Sequence, residues 1–193
     1  MRLTRSLLVT LCLSFLTTAA LPERAQADHE IGTPFTGSRP LQLDFHGGFT
    51  WYGLGFAGGA RFGIPILQNG FVPSIDNAVY LNFGVDVYAI DWDGCRGGGR
   101  GCGGSREYGF ALGFPIALHW EFYFNDSWSA FAELGIQIFM PPALFYRNQW
   151  DPGDHIGAWI IAAAGGSYHF SEAVALTLRV GNPYISFGVT FQF

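Results

Sequence analysis

Three groups of residues in this sequence have types and spacings that could do chemistry. His169-Phe170-Ser171 sets an imidazole base two residues from a hydroxyl, with Glu172 adjacent, the ingredients of an activated serine nucleophile. Asp44, His46, Arg61, Asp86, His119, Glu121, Glu133 and Arg179 stand singly among apolar residues, where they could pair into a polar filling or set the selectivity of a conduit. Cys95 and Cys102 bracket the run Arg-Gly-Gly-Gly-Arg-Gly, and Arg96, Arg100 and Arg106 share that glycine-rich stretch. Which of these chemistries is open depends on the elements that position the residues.

The first segment carries Arg2 and Arg5, then an apolar run from Leu7 to Leu16, then Ala25-Gln26-Ala27 ahead of Asp28. That is the layout of a secretory signal peptide, residues 1–27, cleaved after Ala27, and its apolar part is too short to span a membrane as a helix. Cys12 lies inside the apolar run behind Leu11, which does not suit a lipoprotein acylation site. Beyond residue 27 seven arginines face fourteen carboxylates, a net charge of −7, and the chain has no lysine. Nothing there points to nucleic acid. Only 13% of the chain is charged and 17% is aromatic, whereas a soluble domain carries charge on about a quarter of its residues. Its outer surface is therefore not expected to meet water everywhere. No segment past the signal supplies the roughly 18 apolar residues of a spanning helix. A membrane location then requires a closed barrel, the other structure that satisfies its own backbone hydrogen bonds in lipid.

The period of the sequence supports this. From Phe110 to Phe124 every even position is large and apolar, and the odd positions are mostly small or polar. The last nine residues do the same, with Ile185, Phe187, Val189, Phe191 and Phe193 against Ser186, Gly188, Thr190 and Gln192. Strict period 2 predicts strands with two unlike faces. The template predicts eight: 41–50, 54–64, 79–90, 110–124, 128–139, 156–168, 174–181 and 185–193. An eight-stranded barrel is only wide enough inside for side chains to fill it. The bulky apolar face must therefore turn outward and the small and polar face inward. Trp120, Phe122 and Trp128 at one end, and Tyr88, Trp92 and Tyr108 at the other, are expected as aromatic girdles. Residues 28–40 are expected as an N-terminal periplasmic segment ahead of a barrel over 41–193. The connection 65–77 is longer than a periplasmic turn needs, and its Leu67, Phe71, Val72 and Ile75 suggest a segment folded back beneath the barrel.

The signal peptide, the eight amphipathic strands and the terminal phenylalanine with apolar residues at each second position before it resemble small bacterial outer-membrane barrels of the OmpA membrane-domain, OmpX and OmpW type. The resemblance implies an all-β, eight-stranded antiparallel transmembrane up-and-down β-barrel. It also implies that Phe187, Val189, Phe191 and Phe193 are the signal read by the barrel-assembly machinery. No peptidoglycan-binding domain follows the barrel, so a tether to the wall is not implied.

Each candidate chemistry can then be weighed. In an exported chain an even cysteine pair this close is most simply a disulfide, Cys95–Cys102, since zinc would want four ligands. Arg96, Arg100 and Arg106 could contact lipopolysaccharide phosphates, for which guanidinium geometry is suited, or be merely solvated. The eight charged residues fall on the inward face, where Arg61 with Asp44 is the first expected pair and Arg179 with Asp86 the second. They read either as a structural polar plug or as the lining of a gated conduit. His169 and Ser171 have the spacing of an outer-membrane lipid A deacylase, but they fall at a periplasmic turn with Glu172 beside them in sequence, so a turn serine is expected and no catalytic residue is assigned. The reading is a structural or interaction protein of the envelope, contacting outer-membrane lipid and lipopolysaccharide and needing no cofactor. The alternatives are a narrow channel for small or apolar solutes and, third, a lipid A-modifying enzyme.

Overall fold

Alternation of period 2 over eight consecutive segments gives each strand one face to bury and one to expose, and closing the ring removes every sheet edge. The computed structural model describes residues 29–51, 55–92, 107–140 and 157–193. Their strands are β1 (Gln42–Thr50), β2 (Phe56–Leu67), β3 (Asn77–Trp92), β4 (Glu107–Asn125), β5 (Trp128–Met140), β6 (Gly157–Ser171), β7 (Val174–Asn182) and β8 (Tyr184–Gln192). Each pairs antiparallel with the next, and β1 pairs with β8 to close the barrel. Asp44 marks the seam, lying opposite Arg61 on β2 and Thr190 on β8.

The faces divide as volume requires. On β4, Ala117, His119 and Glu121 are buried, while Ile116 and Leu118 are 45% and 43% exposed. Small residues make room where large ones enter the lumen. A Cβ on Gly113 would collide with the Gln137 amide and the Tyr88 ring, and one on Gly165 with the Phe131 ring. Tyr88 therefore belongs to the lumen, 1% exposed, and not to a girdle at the rim, because its register on β3 matches that of Asp86. Phe139 and Tyr184 pack with it beside Trp159, an aromatic layer near the end of the barrel away from the termini.

The termini and the β2–β3, β4–β5 and β6–β7 connections share one end, here called the terminal end. There β2 runs past the expected boundary at 64 to Leu67, with a register shift between Pro65 and Leu67. A proline is tolerated at such a bulge because no ladder donor is demanded of it. The connection that follows does not fold beneath the barrel. Gly70, at φ 55°, turns the chain, and Phe71 packs edge-on against Trp120 of β4 with ring centroids 5.2 Å apart. Val79 stands in the outward register of Leu81 and Phe83, yet it is fully buried.

What does cross the terminal mouth is the segment 29–40. It starts beside the β4–β5 turn, where the His29 amide donates to Asp126 Oδ1 at 2.7 Å, and ends at β1, on the opposite side of the ring. Asp76 latches it, accepting from the Arg39 guanidinium and lying 2.6 Å from His29 Nδ1. Arg39 is clamped between the Phe35 and Tyr123 rings, 3.6 and 4.4 Å from their centroids. Its amide and Nε reach the side chain and carbonyl of Gln68.

Candidate functional site in the barrel lumen

Period 2 points alternate side chains of every strand inward, so charges far apart in sequence converge on one narrow interior. Asp44, His46, Arg61, Asp86, His119, Glu121, Glu133 and Arg179 are all buried there. Their partners are not those expected. Arg61 does not pair with Asp44: its Nη1 donates to Glu133 Oε2 at 3.0 Å and its Nη2 to Asp86 Oδ2 at 3.4 Å. Arg179 does not pair with Asp86: its Nε donates to the same Glu133 Oε2 at 3.0 Å, and its Nη1 lies 3.6 Å from Asp44 Oδ1. Both guanidiniums reach across the lumen, so the ladder neighbour has no advantage over a carboxylate on the far wall. Glu133 also holds His119, whose Nδ1 is 2.9 Å from Oε1.

Asp44, left by Arg61, is engaged by His46 Nδ1 at 2.8 Å and by the Thr190 hydroxyl at 3.1 Å. His46 Nε2 is 3.1 Å from Asp86 Oδ1. Above this layer the Tyr184 hydroxyl donates to Asp86 Oδ2 at 2.9 Å, and Gln137 Nε2 donates to the Tyr88 hydroxyl at 2.7 Å. Below it Glu121 accepts from Ser129 at 2.7 Å, Tyr123 at 2.9 Å and Gln42 at 3.1 Å. Tyr184, Tyr88, Gln137, Ser129 and Gln42 are absent from the expected network. The inward parity of each strand is the signal that marks them, and charge alone does not reveal uncharged partners. Such satisfaction is what buried charges demand, since an unpaired one costs several kcal/mol.

Among the described residues these side chains occupy most of the lumen. Its small polar cavity, about 20 Å³ and lined by Asn82, Asp44, Glu121, Thr177 and Arg179 among others, is the size that one water fills. A larger recess of about 260 Å³ lies at the terminal end between the 29–40 segment and the β4–β5 and β6–β7 turns.

A serine hydroxyl, an imidazole and a carboxylate do meet between β5 and β6, though not where the His169-Phe170-Ser171 spacing pointed. His169 Nε2 is 3.0 Å from Ser129 Oγ, while Ser171 Oγ accepts from the Ala173 amide within its turn. In a nucleophilic triad the acid holds the ring nitrogen remote from the serine. Here Glu121 takes the Ser129 hydroxyl itself and lies 3.8 Å from the same Nε2. Ser129 is 2% exposed.

The terminal strand presents Phe187, Val189, Phe191 and Phe193 outward. Cys95 and Cys102, the arginines Arg96, Arg100 and Arg106, and the signal segment 1–27 lie outside the described residues.

No protein-family model matches the chain, and no curated protein matches its sequence. Solved structures similar to it include the de novo designed TMB2.3, 13% identical over 81% of this chain and 96% of that one, with a TM-score of 0.45. The N-terminal β-barrel domain of Pseudomonas aeruginosa OprF is 14% identical over 82% of this chain and all of that one, with a TM-score of 0.45. The Yersinia pestis outer membrane protein Ail, solved in a phospholipid bilayer nanodisc, is 11% identical over 81% of this chain and all of that one, also at 0.45. The architecture itself is the one expected: all-β, eight strands, antiparallel, up-and-down and closed.

Proposed function

We propose that the protein is an integral barrel of the bacterial outer membrane, with a structural or interaction role in the envelope and a lumen closed by its own polar side chains. One observation carries the reading. Every strand turns large apolar residues to the outside, among them Phe45, Phe56, Val85, Ile116, Ile136, Ile160, Leu178 and Phe187, while the charges lie within. A soluble monomer rarely exposes contiguous apolar patches beyond a few hundred Å², and this band encircles the molecule. Lipid removes that cost, and an ionic core is the complement that a membrane barrel tolerates inside.

On this reading the termini and the segment 29–40 face the periplasm, the barrel-assembly machinery reads Phe187, Val189, Phe191 and Phe193, and Arg96, Arg100 and Arg106 meet lipopolysaccharide phosphates at the outer surface. The test is fractionation of the native host followed by electrophoresis with and without heating, then conductance in a planar bilayer. The expected result is a heat-shifted band from the outer membrane without resolved conductance steps. Recovery as an unshifted band in the soluble periplasmic fraction overturns the membrane reading. Stepwise conductance overturns only the closed lumen and favours a narrow channel.

A further inference from the structure

The β2–β3 connection differs from the other turns at its end of the barrel. The β4–β5 turn carries Asp126 and the β6–β7 turn Glu172, but no charged residue occurs anywhere from Phe62 to Ile75. The connection lies against the outer wall on Trp120 and exposes Phe71 by 56%, while the end of β2 leading into it exposes Ile66 and Leu67. Those side chains continue the apolar band formed by Ile64, Phe83 and Leu118.

Irregular backbone is costly beside lipid because its polar groups have no water to bond. This loop meets part of that cost from within. Asn77, fully buried, donates through Nδ2 to the carbonyls of Val72 at 2.7 Å, Ile75 at 2.8 Å and Asn69 at 3.1 Å. Its Oδ1 accepts from Trp120 Nε1 at 2.8 Å, tying the loop to the wall. The Ile75 amide bonds the Val72 carbonyl.

We propose that residues 66–75 are an interfacial anchor, seated at the headgroup boundary of the periplasmic leaflet with Ile66, Leu67 and Phe71 turned toward the acyl chains of phospholipid. The anchor rests on the outer-membrane reading and adds a lipid contact that a short turn would lack. Apolar and aromatic side chains suit that depth, and Asn77 reduces the backbone cost by gathering three of the loop's carbonyls.

Amide NMR of the unaltered protein in phospholipid nanodiscs tests it. Nitroxide is carried either near the headgroup or at the chain end of phosphatidylcholine, and a gadolinium chelate is added to the water in a separate sample. The Gly70, Phe71 and Val72 amides should lose most of their intensity to the headgroup-proximal nitroxide and keep it with the chelate. Leu134 and Ile136, in the middle of the band, should respond to the chain-end nitroxide. Loss at Gly70 to Val72 with the chelate but not with lipid nitroxide, while Leu134 and Ile136 respond to lipid, overturns the anchor alone. Loss at Leu134 and Ile136 with the chelate overturns the membrane reading, and the anchor with it.

Discussion

Asp44 and Arg61 face each other directly across the β1–β2 ladder, yet Arg61 turns to Glu133 and Asp86 while Arg179 supplies the guanidinium near Asp44. Glu133 is thereby the hub of the lumen, shared by two arginines and His119. In a barrel this narrow a guanidinium can reach several walls. It settles where the most acceptors converge.

Glu133→Gln should therefore cost more than Asp44→Asn. Removing the hub charge leaves two buried guanidiniums without it, a loss on the order of 3–5 kcal/mol for a broken buried pair. Asp44 receives its closest bonds from His46 and Thr190, with Arg179 at 3.6 Å, so its loss should be smaller. Urea unfolding of the bilayer-inserted variants, followed by tryptophan fluorescence, measures both. Equal losses would count against Glu133 as the hub.

Arg61→Ala separates a filled lumen from a gated conduit. Arg179 remains in the same layer and Tyr184 and Gln137 in the layer above, so the variant should stay without resolved conductance steps in a planar bilayer. Steps that appear only in the variant would identify Arg61 as a gate.

Gly165→Val should destabilise the barrel although it adds only apolar atoms. The new side chain points into the lumen against the Phe131 ring and the Leu178 carbonyl. Overpacking of this kind costs about 1–3 kcal/mol. The urea midpoint should fall, and a second change, Phe131→Ala, should recover part of the loss.

Asp76→Ala should release the segment 29–40 without opening the barrel wall. Asp76 holds both His29 and Arg39, whereas the strand ladders do not depend on its side chain. Hydrogen exchange should speed up at residues 29–40 and stay slow in β4 to β6. Unchanged exchange at 29–40 would show that the Gln68 bonds and the aromatic clamp suffice.

On the outer-membrane reading proposed above, Phe191→Ser with Phe193→Ser should lower the amount of protein reaching that membrane. Both rings are exposed, Phe191 on β8 at 6.3 Å from Phe45 and Phe193 just past its end at 6.3 Å from Phe62, so little packing is lost inside. Heat-shifted protein in outer-membrane fractions is the readout. A wild-type yield would remove the terminal strand as an assembly signal.

The strands were legible because period 2 is written into adjacent residues, as in 110–124, and needs no knowledge of distant contacts. So was the choice of inward face, which follows from volume: the aromatics of β4 cannot fit inside an eight-stranded barrel. The course of the 65–77 connection carries no local signal. Its position depends on Asn77 gathering three carbonyls and on Trp120, 43 residues away in sequence, receiving the loop. The Ser129–His169 contact was likewise hidden, since it joins β5 to β6, while Ser171 offered a nearer hydroxyl in sequence and a farther one in space.

Sequence alone therefore determined the strand number, the closed architecture and which face of each strand turns inward, because each rests on periodicity and side-chain volume. Only the tertiary structure decided which charge meets which. A long side chain in a ring of eight strands has partners on every wall, and the choice among them is made by the summed geometry of acceptors such as Glu133 Oε2, which no spacing along the chain encodes.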